Sequence, residues 1–235
     1  MTGSASEAIL RAGRSAILYD ASRVPAVSAD WFCPAFWQQR RAVTGYYGGR
    51  GTALAVDSEA GPLVLKTYLR GGLMARLNRD RYLLTGVERS RSLLEWRLLN
   101  RLRLLELPVP RPVKAACFTH GVVYRAGLLT AQLPDVQPLA TVAKGLEDAD
   151  WLALASTLKR FFKAGLKHPD LNASNLLFSG NGQWYLVDLD RARLGSRPST
   201  PKPMVDRLRR SLDKDGLANA ANPLFSALAS LESPE

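Results

Sequence analysis

The hydrophobic and polar positions of this chain fall into two rhythms. Extended runs of apolar and β-branched residues, bounded by Gly, Pro and Asn, predict strands at 53–56, 62–66, 115–119 and 122–132, with a turn at His120-Gly121. Helical spacing takes over at 90–105, where Leu94, Leu98, Leu102 and Leu105 recur along one face. Leu107-Pro108-Val109-Pro110-Arg111-Pro112 ends that helix, because each Pro pushes its predecessor toward extended geometry. A second helical pattern covers 138–164, with Asp148 or Asp150 as N-cap and Gly165 at its end. Leu176-Leu177-Phe178 and Trp184-Tyr185-Leu186-Val187 read as a hairpin, since Ser179-Gly180-Asn181-Gly182 between them tolerates positive φ. A basic helix is expected near 205–214, after a Pro/Ser/Thr-rich linker. The first 30 residues are weakly patterned apart from a strand at Ile17-Leu18-Tyr19. The aromatic run from Trp31 to Trp37 admits a membrane-touching patch or packing on the fold; aromatics dominate cores, which favours packing.

Length and charge narrow the picture. A chain of 235 residues can bury a sizeable core, as one domain or two small lobes. Its formal charge is +11, from 32 basic against 21 acidic residues, and such an excess implies an anionic partner. Cys33 and Cys117 form no disulfide framework or metal-ligand spacing and read as free thiols of a reducing compartment. The N-terminus lacks the apolar core of a signal peptide, and no apolar run reaches the roughly 18 to 20 residues that cross a bilayer. A protein of the cytosol, or of the cytoplasmic face of a membrane, is expected.

Candidate chemistry gathers between His168 and Asp190. His168-Pro169-Asp170-Leu171-Asn172-Ala173-Ser174-Asn175 has the H-x-D-L-x-x-x-N spacing of the protein-kinase catalytic loop, and Asp188-Leu189-Asp190 arrives where a metal-binding D-F-G would. Folding the hairpin brings Asn175 beside Asp188, and an amide oxygen with a carboxylate suits a hard cation such as Mg²⁺. In that pattern Asp170 accepts the proton of the attacking hydroxyl, while Asn175 and Asp188 hold the metal on the ATP phosphates. His168 is expected to brace the loop backbone rather than act as a base. Upstream, the turn with Gly48, Gly49 and Gly51 can approach phosphates closely. The strand that follows it delivers Lys66 in the manner of V-A-I-K, with Glu95 of the Arg-rich helix as its ion-pair partner. Position 172 is Asn, where protein kinases usually place a Lys or Arg, and no A-P-E sequence follows; both favour a small-molecule or glycolipid acceptor.

A more particular set of residues extends the likeness. Gly49-Arg-Gly-Thr52, Tyr68-Leu-Arg-Gly-Gly-Leu73, Leu77-Asn-Arg-Asp-Arg-Tyr82, Ser90-Arg-Ser92 with Glu95, Leu107-Pro-Val-Pro-Arg-Pro112, the loop, Asp188-Leu-Asp190 and Arg207-Leu-Arg-Arg-Ser211 together resemble the 3-deoxy-D-manno-octulosonic acid (Kdo) kinase family, from about Phe36 to Lys214. The family often carries Arg where this chain has Lys66, and other residues where it has Pro169 and Ser174. The resemblance implies an ATP- and Mg²⁺-dependent enzyme that phosphorylates the 4-hydroxyl of Kdo on lipid A precursor, at the cytoplasmic face of the inner membrane. Arg70, Arg76, Arg79 and Arg81 are then expected to face the anionic glycolipid or the anionic inner leaflet.

The expected fold is α+β and protein-kinase-like in two lobes. Residues 1–133 would form an antiparallel-sheet lobe with one main helix, and 134–235 a reduced, mainly helical lobe, with Leu133-Pro134 as hinge. Alternatives are another phosphotransferase of the same fold (a lipopolysaccharide heptose kinase, or an aminoglycoside or choline type), a pseudokinase scaffold, or a basic nucleic-acid-binding protein. The charge disfavours cationic acceptors, the base and both metal ligands are present, and no aromatic–basic signature for nucleic acid appears. No nucleic acid and no obligate protein partner are expected.

Overall fold

The computed structural model describes residues 7–22, 28–47, 53–68 and 82–229. The chain divides into two compact units, Met1–Arg101 with Pro110–Gln132, and Leu102–Val109 with Leu133–Glu235.

In the first unit the elements are β1 (Glu7–Ala12), β2 (Ser15–Asp20), α1 (Pro34–Gln39), β3 (Val43–Tyr47), β4 (Ala53–Ser58), β5 (Gly61–Thr67), β6 (Tyr82–Leu83), α2 (Arg91–Leu104), β7 (Pro112–His120) and β8 (Val123–Ala131). The strands make one antiparallel sheet in the order β1-β2-β7-β8-β5-β4-β3, with β6 pairing β8. Two-residue loops join β1 to β2, β4 to β5 and β7 to β8, as where Ser58 pairs Gly61 across a turn that the Ser58 hydroxyl ties to the Gly61 carbonyl at 2.7 Å. The strand β1 escaped the sequence pattern because its residues are exposed or only partly buried.

Helix α2 forms where expected but buries a different face. Leu93, Trp96, Leu98, Leu99 and Leu102 are buried, whereas Leu94 and Leu105 stand 52% and 50% exposed. Leucines lie on nearly every side of this segment, so their period alone does not select a face. The indole of Trp96 and the Ser92 hydroxyl, which donates to the Ala116 carbonyl at 2.7 Å, mark the side that meets the sheet.

The aromatic run packs into the core rather than presenting a patch. Trp31, Phe32 and Trp37 are buried in a cluster with Ile17, Val56, Leu63, Leu65, Ala116 and Leu129. The Trp37 indole donates to the Trp31 carbonyl at 2.8 Å, and the two rings meet edge to face. Beneath Trp31 lies the fully buried Lys114 of β7, its ammonium 3.4 Å from the ring centroid. Burial pulls its pKa from 10.5 to about 8, with the Glu59 carboxylate opposing.

The second unit contains β9 (Val136–Pro138), α3 (Leu139–Val142), α4 (Asp148–Lys163), β10 (Leu166–Lys167), β11 (Leu176–Ser179), β12 (Trp184–Leu186), β13 (Arg193–Leu194), α5 (Lys202–Lys214) and α6 (Asn222–Ala229). The predicted hairpin is β11–β12, with β9 completing a three-stranded antiparallel sheet. Helix α4 buries Trp151, Leu154, Ala155, Leu158, Phe161 and Phe162. Its N-cap is Glu147, not Asp148 or Asp150; Asp150 instead accepts from the Glu147 N–H at 3.0 Å and closes a capping box. Gly165 follows this helix with φ +88°, and a Cβ there would lie 2.5 Å from the Arg197 carbonyl oxygen. Only glycine fits, because both the backbone angle and the neighbouring chain exclude a side chain.

Candidate active site

Strand β5 places Lys66 in the interior of the sheet, with Ala53 of β4 on one side and Leu128 of β8 on the other. This position replaces the solvated edge that an isolated lysine suggests. Its ammonium donates to both oxygens of Glu95, at 2.9 and 2.8 Å, and the Tyr68 hydroxyl donates to Glu95 Oε2 at 2.6 Å. The Glu95 side chain is 3% exposed and that of Lys66 22%, so the carboxylate is desolvated while the cation keeps a route to water. Strand and helix thus bring Lys66 and Glu95 into an ion pair that fixes the ammonium.

The polar loop of the second unit is organised by its own side chains. His168 is buried, its N–H donates to Met204 Sδ at 3.3 Å, and its Nδ1 accepts from the Asp170 N–H at 3.2 Å. That is the bracing role expected of it. Asn172 caps the short 3₁₀ turn 173–175: its Oδ1 accepts from the Ser174 and Asn175 N–H groups at 3.0 and 3.2 Å, and its Nδ2 donates to the Asp170 carbonyl at 3.1 Å. The Asn175 amide also donates to the Asp170 carbonyl, at 3.1 Å, which orients its Oδ1 as the remaining acceptor. The side-chain amides of Asn172 and Asn175 therefore both donate to the Asp170 carbonyl, while the Ser174 hydroxyl donates to Asn172 Oδ1 at 2.6 Å.

The hairpin then brings in Asp188. Leu176 pairs Leu186, and one step further the Val187 N–H donates to the Asn175 carbonyl at 2.9 Å, so Asp188 leaves the strand next to Asn175. Asp188 is exposed and adopts φ +56°, a left-handed conformation that Asp tolerates and that costs other side chains more. Asn175 and Asp188 offer hard oxygen donors on adjacent backbone. Among the described residues no three His, Cys, Asp or Glu cluster as a metal cage. A two-ligand site of this kind fits a cation that keeps water and substrate oxygens in its shell, as Mg²⁺ does.

Comparison with known proteins identifies the lineage. The family model described as lipopolysaccharide kinase (Kdo/WaaP) family matches residues 34–224. The chain belongs to the lipopolysaccharide kinase (Kdo/WaaP) family. It is 42% identical over 205 residues to a 3-deoxy-D-manno-octulosonic acid kinase of Stenotrophomonas maltophilia, across 86% of this chain and 82% of that protein. Its identity to the protein of that name in Xanthomonas euvesicatoria is 45% over 206 residues, with the same coverage. Among solved structures, the Cydia pomonella granulovirus kinase PK-1 is similar at TM-score 0.44 and 14% identity, over 69% of this chain and 56% of that one. Membership of the Kdo/WaaP family agrees with the α+β, protein-kinase-like class and the phosphotransferase activity expected from the sequence.

Within this kinase, Lys66 meets Glu95, the Asn175 amide meets the Asp170 carbonyl, and Val187, the neighbour of Asp188, meets the Asn175 carbonyl. Gly48, Gly49, Gly51, Arg70, Arg76, Arg79 and Arg81 lie outside the described residues. Sequence reasoning missed the Asn172 cap, although Asn before a short polar turn is a capping signal. It named Arg207 only within the family resemblance and gave it no role, whereas its guanidinium donates to Asp170 Oδ1 from Nε at 3.0 Å and from Nη2 at 2.6 Å. No local pattern links those two residues.

Proposed function

We propose that this protein transfers the γ-phosphoryl group of ATP to the 4-hydroxyl of a Kdo sugar on lipid A precursor, in lipopolysaccharide core assembly. The observation that carries the reading is the hydrogen-bonded unit of Asp170, Asn175 and Val187, which sets one carboxylate and two further oxygen donors on a single braced loop. Asp170 accepts the hydroxyl proton as the new O–P bond forms; the bond from the γ-phosphorus to its bridging oxygen breaks, and ADP leaves with that electron pair. Asn175 and Asp188 would hold Mg²⁺, which when bound neutralises charge on the phosphates. Lys66, held by Glu95, is assigned to the α- and β-phosphates, and the turn with Gly48, Gly49 and Gly51 to covering them. Because such transition states are loose, positioning and electrostatics supply most of the acceleration.

The acceptor is anionic and membrane-borne, which accounts for a net charge of +11. Each well-placed Lys or Arg contributes about 1 kcal/mol of attraction to an anionic leaflet. Arg70, Arg76, Arg79 and Arg81 are assigned to the acceptor or to that surface, at the cytoplasmic face of the inner membrane. No helix among the described residues is long and apolar enough to cross a membrane. Incubation with ATP, Mg²⁺ and Kdo-bearing lipid A precursor should add the mass of one phosphate to the Kdo. A folded protein that leaves this acceptor unchanged, or phosphorylates a heptose acceptor instead, defeats the assignment.

A further inference from the structure

The stretch from His168 to Asp190 contains Asp170, Asp188 and Asp190 but no Lys or Arg. A loop of that charge, asked to work beside a polyphosphate, needs a cation from elsewhere. Helix α5 brings one. Its buried side is Met204, Val205, Leu208 and Leu212, and along the adjoining flank three residues reach the loop in turn. Met204 Sδ accepts from the His168 N–H, Arg207 donates to Asp170, and Ser211 Oγ accepts from the Ala173 N–H at 3.1 Å. The spacing 204, 207, 211 is one stripe of an α-helix. Arg207 therefore sits between two fixed points rather than on a free surface.

Two guanidinium N–H groups converge on Asp170 Oδ1, and among the described residues Oδ2 accepts no hydrogen bond. The side chains are 38% and 60% exposed, and ion pairs this wet contribute little to stability. Fold stability is a weak reason for the pair. Orientation is a better one, since an exposed Asp otherwise samples several rotamers. We propose that Arg207 is a positioning residue for the phosphoryl-transfer step: it locks the Asp170 carboxylate through Oδ1, leaves Oδ2 to receive the acceptor's proton, and supplies the positive charge the loop lacks. The proposal rests on Asp170 being the proton acceptor.

Steady-state kinetics of Asp170→Asn, Arg207→Ala, Arg207→Lys and Arg210→Ala, with thermal melts of each, test both layers separately. Arg207→Ala should lower kcat roughly 10- to 100-fold, the scale of a misplaced catalytic group, with KM for ATP changed less than about threefold and Tm within about 2 °C of wild type. Arg207→Lys should fall between, because an ammonium keeps the charge but not the planar fork. Added guanidinium should raise kcat of Arg207→Ala, and Arg210→Ala, an equal charge loss on the same helix, should stay within about twofold of wild type. An inactive Asp170→Asn beside an Arg207→Ala of unchanged kcat overturns the role of Arg207 alone. A kcat loss that tracks a fall in Tm and ignores guanidinium makes Arg207 structural and overturns it too. An active Asp170→Asn removes the proton-acceptor reading, and the proposal with it.

Discussion

Replacing Glu95 is the sharpest probe of the first unit. Its carboxylate accepts hydrogen bonds from the Lys66 ammonium and the Tyr68 hydroxyl, at 3% exposure. Glu95→Gln keeps the shape and removes the charge, leaving a 22%-exposed ammonium facing a neutral amide. Breaking a buried ion pair costs about 3–5 kcal/mol, but Lys66 can turn to water, so the loss should be nearer 2–3 kcal/mol. For a chain of this size that lowers Tm by roughly 5–10 °C. The ammonium also loses its fixed position, so kcat/KM for ATP should fall roughly 10- to 100-fold. Calorimetry gives the first number and phosphoryl transfer to the Kdo acceptor the second. A double-mutant cycle with Lys66→Met isolates the pair, and a coupling under about 0.5 kcal/mol would refute the reasoning.

Asp188→Ala should abolish turnover while the far-ultraviolet dichroism stays native; a metal-dependent, fully active variant sinks the ligand role. Gly165→Ala should destabilise by about 2 kcal/mol or more in urea titrations, since the left-handed angle and the Arg197 carbonyl both oppose a Cβ. Lys114, with a folded pKa of about 8 against 10.5, sheds its proton in the folded chain while the unfolded chain still holds it. Its contribution to stability therefore rises with pH through that window, by up to about 3 kcal/mol. Subtracting the urea stability of Lys114→Met from that of wild type at each pH exposes the slope; a flat difference refutes the buried charge.

Much of the site was legible because its signals are local. The Gly/Asn turn fixes the 176–187 hairpin, and hairpin closure alone carries Asp188 to Asn175. Lys66 and Glu95 lie on a strand and a helix that the sequence places, and the V-A-I-K likeness of the strand, not the helix period, suggested their encounter. The buried face of α2 was not legible, because a helix leucine-rich on all sides leaves the choice to Trp96 and to tertiary contacts. Neither was the cap of α4: Glu147, Asp148 and Asp150 compete for it, and the decision rests on backbone angles. The ion pair of Arg207 and Asp170 joins residues 37 apart through the docking of a whole helix. Such a contact belongs to packing, which no short window of sequence encodes.

The loop's lack of any cation of its own has a consequence for when the protein becomes an enzyme. During synthesis the residues up to Asp190 leave the ribosome first, with Asp170 still without its guanidinium partner. Arg207 emerges later, once most of the chain is already made. A chain interrupted before that helix is built should still carry Lys66 and Glu95 but transfer little phosphate, because its Asp170 carboxylate has no guanidinium to hold it.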